Sequence, residues 1–274
     1  MAAETQERNM AVFCDFENIA IGAREAKVRK FDIKKVLERL LVKGSIVVKK
    51  AYCDWERYKD FKPQMHEAAF ELIEIPHVRQ SGKNSADIRM VVDALDLCYT
   101  KEHVDTFVIV SGDSDFSPLV SKLRENNKAV IGVGVKHSSS DLLIANCDEF
   151  IYYDDLVREK PRKSTARRKS QSKGSRSKKE AKDSTEAEVP EDASQKGIDL
   201  VVSTLEALLE ERGGDERIWG SMIKQALKRR NPGFNESYHG YKSFSSLLED
   251  AQARGFVSLE RDEKSGGYIV TAAA

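Results

Sequence analysis

The chain has 274 residues, 40% of them hydrophobic and 33% charged, with 45 basic residues balancing 45 acidic ones. That balance excludes a uniformly basic or acidic protein and leaves any choice of partner to local charge blocks. The four cysteines (Cys14, Cys53, Cys98 and Cys147) include no Cys-x-x-Cys pair, and three lie in apolar runs, so reduced core thiols are expected, not a zinc site or a disulfide framework. No signal peptide and no apolar run long enough to cross a bilayer is present, which makes a cytoplasmic protein with no membrane partner the default.

In chain order, residues 1–9 are polar and expected to be disordered. Residues 10–19 read as a strand that ends in acid at Asp15. Apolar positions at Ile33, Val36, Leu37, Leu40 and Leu41 predict a helix stopped by Lys43-Gly44-Ser45. Residues 46–53 predict a second strand, followed by a charged, aromatic segment from Asp54 to Lys59. Pro63 opens a short helix, residues 70–75 predict a third strand, and residues 76–85 a loop carrying His77, Arg79 and Lys83. Residues 85–99 predict an amphipathic helix whose buried stripe is Ile88, Val91, Val92 and Leu95. Asp87 lies at the edge of that stripe, and Asp93 is expected in solvent.

A fourth strand at residues 107–110 runs into Ser111-Gly112-Asp113-Ser114-Asp115-Phe116. A bland reading makes this a polar turn in which Ser114 or Asp115 caps the helix over residues 118–126. A fifth strand at residues 129–135, a helix capped from Ser138-Ser139-Ser140-Asp141, and a last strand at residues 149–153 complete a β-α alternation. The expected fold class is α/β with a mainly parallel central sheet. Residues 158–179 hold eleven Lys and Arg against one Glu, and residues 180–192 then turn acidic, the pattern of a disordered linker. Residues 197–271 predict three short helices and a hairpin, a winged-helix pattern.

Three elements of the first domain could deliver acid to one place. Asp15 ends strand one, Asp113 and Asp115 end strand four, and Asp87 opens the preceding helix. If strands one and four are neighbours, Asp15 and Asp113 stand side by side at the C-terminal edge of the sheet, where ligands bind in open α/β folds. Like charges there repel unless a cation joins them, and Mg²⁺ or Mn²⁺ suits an oxygen-only set. Such ions activate water and neutralise charge on phosphate. Asn18 offers a neutral oxygen or a hydrogen bond to phosphate, and Ser111 is either an orienter of water or a backbone cap. For Asp87 the competing reading is simple complementation of a helix N-terminus.

The stretches Val12-Phe13-Cys14-Asp15-Phe16-Glu17-Asn18, Lys83-Asn84-Ser85-Ala86-Asp87 and Val110-Ser111-Gly112-Asp113-Ser114-Asp115-Phe116-Ser117-Pro118-Leu119 resemble, in order, the NYN domains of the PIN-like nuclease superfamily, LabA-like group. The resemblance covers residues 10–157. It implies a PIN-like α/β sandwich and a metal-dependent ribonuclease, with Asp15, Asp87, Asp113 and Asp115 as catalytic and metal-binding residues and Asn18 beside them. Residues 198–270 are similar to the LOTUS (OST-HTH) domain, through Ile223 to Asn235, then Tyr241-Lys242-Ser243-Phe244-Ser245-Ser246-Leu247-Leu248, and the wing. That resemblance implies RNA binding.

The expected organisation is therefore a disordered N-terminus (1–9), an NYN nuclease domain (10–157), a charged linker (158–196) and a LOTUS winged-helix domain (197–271). The expected activity is Mg²⁺- or Mn²⁺-dependent hydrolysis of RNA phosphodiester bonds. Rival readings are a non-catalytic RNA-binding adaptor and a small-molecule phosphatase; the basic linker and second domain argue against the latter. Candidate RNA contacts are Arg79, Lys83, Arg57 and Lys59 to the backbone, Trp55 as a base-stacking platform, and Lys224, Lys228 and Lys242 in the second domain. Homo-oligomer formation is left open.

Overall fold

The computed structural model describes residues 8–26, 31–75, 85–157, 191–212, 217–262 and 266–272. Its first unit is built on six strands: β1 (Arg8–Asp15), β2 (Gly44–Cys53), β3 (Glu71–Glu74), β4 (Thr106–Val110), β5 (Ala129–Gly134) and β6 (Glu149–Tyr152). They form one sheet in the order β3-β2-β1-β4-β5-β6, with every pairing parallel. Among the described residues seven helices flank it: α1 (Phe16–Glu25), α2 (Ile33–Leu41), α3 (Lys62–Glu67), α4 (Ser85–Thr100), α5 (Ser117–Glu125), α6 (Asp141–Asn146) and α7 (Tyr153–Val157). This is the α/β fold of the PIN-like NYN kind that the alternating pattern and the resemblance predict.

The strands alternate their side chains between two cores. Met10, Val12 and Cys14 of β1 pack with Ile19 of α1, with α2 and with Tyr153 of α7. Ala11 and Phe13 face the other way, onto Met90 and Ala94 of α4 and onto α5 and α6. All four cysteines are buried and free. Both sheet faces are thus covered, as a parallel sheet requires.

Two local expectations are corrected. Strand one ends at Asp15, not at residue 19, because the Asp15 side chain accepts the Asn18 N–H and starts α1. Phe16, Ile19, Gly22 and Ala23 then bury one face of that helix. The buried stripe of α4 is also rotated from the expected one. Met90, Ala94, Leu97 and Cys98 face the sheet, while Ile88 is 63% and Val92 56% exposed. α4 carries apolar residues around much of its circumference, so periodicity alone allows either face. Ala94 and Cys98 are small, and a face that carries them can lie closer to the sheet.

The second unit contains α8 (Glu191–Arg212), β7 (Ile218–Trp219), α9 (Gly220–Arg230), α10 (Phe244–Ala253), β8 (Val257–Arg261) and β9 (Tyr268–Ala272). Its core joins Ile198, Val201 and Leu205 of α8 to Ile223, Leu247 and Val270. The expected hairpin is there, and Ile218 and Trp219 add a third strand by pairing with Val270 and Ile269. Ser243 and Ser246 form a reciprocal cap at the start of α10. Among the described residues no helix is long and apolar enough to cross a membrane.

Candidate active site

Strand order changes direction between β1 and β4. From β1 the chain moves outward to β2 and β3, and from β4 it moves the other way to β5 and β6. The helices that follow, α1 and α5, pack on opposite faces. The two connections therefore diverge and leave a crevice at the C-terminal ends of β1 and β4, the usual ligand position in an open α/β sheet. Cys14 pairs with Val110, so the next residues in line are Asp15 and Ser111. Both continue the face of Phe13 and Ile109, which α4 covers, and α4 brings Asp87 in its first turn. Strands one and four are neighbours as expected, but the residue beside Asp15 is Ser111, with Asp113 two positions further on.

A chain of hydrogen bonds fixes these groups. Ser111 Oγ donates to Asp15 Oδ2 at 3.1 Å, and Asn18 N donates to Asp15 Oδ1 at 3.3 Å. Asp113 N donates to Ser111 Oγ at 3.2 Å, and Asp115 N donates to Asp113 Oδ1 at 3.0 Å. Asp113 therefore caps the 3-10 turn at residues 114–116, and neither Ser114 nor Asp115 caps α5, whose N-cap is Phe116. Asn18 Oδ1 accepts the Gly112 N–H at 2.9 Å. That bond uses one lone pair of the Asn18 oxygen to brace the β4 turn against α1. Gly112 itself is required by close approach: a Cβ there would lie 2.6 Å from the Ser138 carbonyl oxygen.

The electrostatics show how close the carboxylates are. Asp15 is 7% exposed and Ser111 fully buried, Asp87 and Asp113 are half-buried, and Asp115 is exposed. Burial is the main cause that pushes the Asp15 carboxyl up to about 7; Asp87 and Asp113 add to it, and the bonds from Asn18 and Ser111 oppose it. Burial also leads for Asp87, raised to about 6, followed by Asp113, Asp115 and Glu17. No described lysine or arginine is among the main causes of either shift. Glu17 is an acid the sequence reading missed. It sits two residues past Asp15, and its signal was acid clustering in that short stretch.

Such a set fits a hard divalent cation in its chemistry, being oxygen-only, negative and uncompensated. Among the described residues, no three acids, histidines or cysteines converge tightly enough to be a ready-made cage. The fit is therefore to an ion such as Mg²⁺, which keeps several of its own waters and takes only one or two protein carboxylates directly. Asp15, Asp87, Asp113 and Asp115 are the residues that would hold it.

The other expected residues fare differently. Trp55 is not a stacking platform: it is 1% exposed, its Nε1–H donates to Ile73 O at 3.2 Å, and its ring packs 5.0 Å from that of Phe16. Arg57 is exposed and pairs with Glu17 at 3.4 Å, at the rim of the acid cluster. Lys59 is exposed in the turn before α3. Arg79 and Lys83 lie outside the described residues. In the second unit Lys224 is engaged with Glu236 at 2.7 Å, Lys228 is half-buried and acts on Glu149 of the first unit, and Lys242 is exposed. Asp93 is not in solvent. Its side chain is 12% exposed, accepts Tyr52 OH at 2.9 Å, and pairs with Arg89 at 3.1 Å and Lys50 at 3.5 Å. An open groove lined by Ser114, Asp115, Ser117, Pro118, Ser121 and Leu142 adjoins the acids.

Residues 9–154, more than half of the chain, match the NYN domain family. Over 152 residues the chain is 25% identical to "Meiosis regulator and mRNA stability factor 1" of Xenopus tropicalis, covering 56% of this chain and 9% of that protein. Over 160 residues it is 28% identical to an uncharacterized protein of Methanocaldococcus jannaschii, covering 57% of this chain and 61% of that one. The chain thus spans less than two thirds of either relative. The crystal structure of a protein of unknown function from Vibrio parahaemolyticus is 28% identical, with a TM-score of 0.49 and coverage of 56% of this chain and 96% of that one. The matched residues end two positions past β6 and take in the whole parallel sheet with its crevice of acids: the chain belongs to the NYN domain family.

Proposed function

We propose that the first unit, residues 10–157, is a ribonuclease that hydrolyses RNA phosphodiester bonds with Mg²⁺ or Mn²⁺ in the cytoplasm. The observation that carries this reading is the crevice between β1 and β4, where Asp87 and Asp113 raise the proton affinity of the buried Asp15, Asp113 and Asp115 raise that of Asp87, and no described cation is among the main influences on either. A nuclease-type fold and a relative whose printed name refers to mRNA stability support an RNA substrate. The second unit, with three helices and a three-stranded sheet, resembles a LOTUS domain and binds RNA for the first, helped by the basic stretch at residues 158–179.

When bound, a divalent ion would supply an activated water and neutralise charge that builds on the phosphate. The chain's own residues do the rest. Ser111 holds the Asp15 carboxylate in one orientation through its hydroxyl, and Asn18 holds the turn that presents Asp113. Asp115, the most exposed of the four acids, meets the substrate side of the crevice. The second reading is an RNA-binding adaptor that does not cut, in which the winged-helix pattern of the second unit carries the RNA contact.

One experiment separates the two. End-labelled single-stranded and hairpin RNAs are incubated with the protein and Mn²⁺, beside an EDTA control and Asp113→Asn. Cleavage is expected only with intact Asp113 and free metal. Cleavage that survives in the mutant points to a contaminant, and intact RNA with bound protein supports the adaptor.

A further inference from the structure

The two units of the chain touch along one line. β6 is the outer strand of the parallel sheet, and an outer strand leaves backbone groups without a ladder partner. Here the Phe150 N–H donates to the Pro232 carbonyl at 3.0 Å. Just past the end of β6, Asn235 Nδ2 donates to Asp155 Oδ2 at 2.9 Å. Gly233 lies against Tyr152, where a Cβ would stand 2.7 Å from the phenol oxygen and 3.2 Å from two ring carbons. The Tyr238 ring lies against the Lys136 ammonium, two residues past β5. All of these contacts come from the segment between α9 and α10.

Their place on the sheet matters. Lys136, Tyr152 and Asp155 end or follow strands β5 and β6, so the segment is seated at the C-terminal edge of the sheet, the edge that carries the acids. Burial raises the Tyr152 hydroxyl pKa, and Asp141, Asp155 and Tyr238 raise it further, which groups those three residues around one ring. Leu142 follows Asp141 directly, is 57% exposed, and lines the groove that Asp115 also lines. Ile144 of the same helix packs in one core with Tyr152, so α6 links the docked segment to the groove that Leu142 and Asp115 share.

We propose that this segment is a fixed dock, and that it holds the C-terminal unit so that one single-stranded RNA spans both units and enters the acid cluster along the Leu142 groove. The proposal rests on the reading of the substrate as RNA. Chemistry supports the path. Ser114 and Ser121 can donate to phosphate oxygens, and an exposed leucine and an exposed tyrosine offer faces for bases. A rigid dock turns the second binding event into an intramolecular one, so RNA long enough to bridge gains affinity without any new contact.

The test uses the full chain carrying Asp113→Asn to prevent cutting. Gly233→Val places a branched side chain against Tyr152, and Asn235→Ala removes the bond to Asp155 without adding bulk or touching a proposed RNA contact; circular dichroism confirms that each variant is folded. Small-angle X-ray scattering is expected to show a compact parent and a larger radius of gyration in both variants. Fluorescence anisotropy with oligouridylates from about 4 to about 24 nucleotides is expected to show a step in affinity at the bridging length, reduced about tenfold or more in both variants. Scattering that is identical in parent and variants, or a step that survives undocking, overturns the proposal. Neither readout involves turnover, so a failure of cleavage in the nuclease assay and a failure of the dock are told apart.

Discussion

The two units handle charge in opposite ways. In the second, charges and polar groups are matched: Lys224 with Glu236, Arg254 with Asp250, Tyr241 OH with Asp250 and Tyr268 OH with Glu249. In the first, the crevice gathers Asp15, Asp87 and Asp113, with no described cation among the main influences on Asp15 or Asp87. The contrast recurs within one helix. Asp93, less than two turns past Asp87 on α4, is held by Tyr52, Arg89 and Lys50. A matched acid is architecture; an acid surrounded by acids is an unpaid electrostatic cost, which folding alone would not select.

The most severe way to break the contrast is Asp113→Asn. If the cluster cuts RNA, loss of this carboxylate lowers kcat/KM by more than about a hundredfold, since even outer-sphere partners of metal ligands cost 10- to 100-fold. Single-turnover cleavage assays measure it.

Stability sharpens the contrast next. The Asp15 carboxyl has an ordinary value of 3.8 and sits at about 7 in the folded chain. Below about pH 4 it is protonated both folded and unfolded, and costs nothing. As pH rises toward 7 the unfolded chain ionises first, so stability falls; above 7 the loss is constant. In EDTA, Asp15→Asn should therefore melt above wild type by a margin that grows from about pH 4 to about pH 7, is flat above that, and approaches a few kcal/mol, at about 1.4 kcal/mol per pH unit. Added Mn²⁺ should stabilise the wild type, by about 2.7 kcal/mol at a hundred times Kd, and leave the variant unchanged. A margin that does not grow with pH sinks the account of a repelled, buried acid.

A smaller effect of opposite sign separates Asp93 from Asp87 on α4. Asp93→Asn, which weakens the charge-assisted bonds to Arg89 and Lys50, should destabilise by about 1–3 kcal/mol in urea titrations. Asp87→Asn should leave the metal-free chain as stable or more stable. The smallest effects belong to the lysines of the second unit. Lys224→Ala should cost up to about 1 kcal/mol of stability through its lost ion pair. Lys242→Ala should leave stability alone and lower the salt slope of RNA binding by about 0.7.

Much of this was legible along the chain because it is local. A β-branched run that leads to Asp113 and an apolar run that ends in Asp15 announce strand ends with acid, and strand ends in a parallel sheet are where ligands sit. Trp55 was misplaced because a short charged, aromatic segment looks the same whether its ring covers the core or faces solvent. The partners that decide it, Ile73 and Phe16, are 18 and 39 positions away in the sequence. Asn18 likewise looked like a free oxygen, and only the packing of β4 against α1 shows that Gly112 uses it.

By itself the sequence determined the alternation, the parallel sheet and the acids at two strand ends, since each follows from side-chain period and composition over about ten residues. Only the tertiary structure decided which strands are neighbours, and hence that Asp15 stands beside Ser111, that α4 turns Met90 and Ala94 to the sheet, and that Asp93 is matched while Asp87 is not. It also decided the seating of the 231–239 segment on β6. The reason is physical: burial and Coulomb interaction act through space, and the groups that set them here, such as Asp15 and Ser111, are separated by as much as 96 residues of chain.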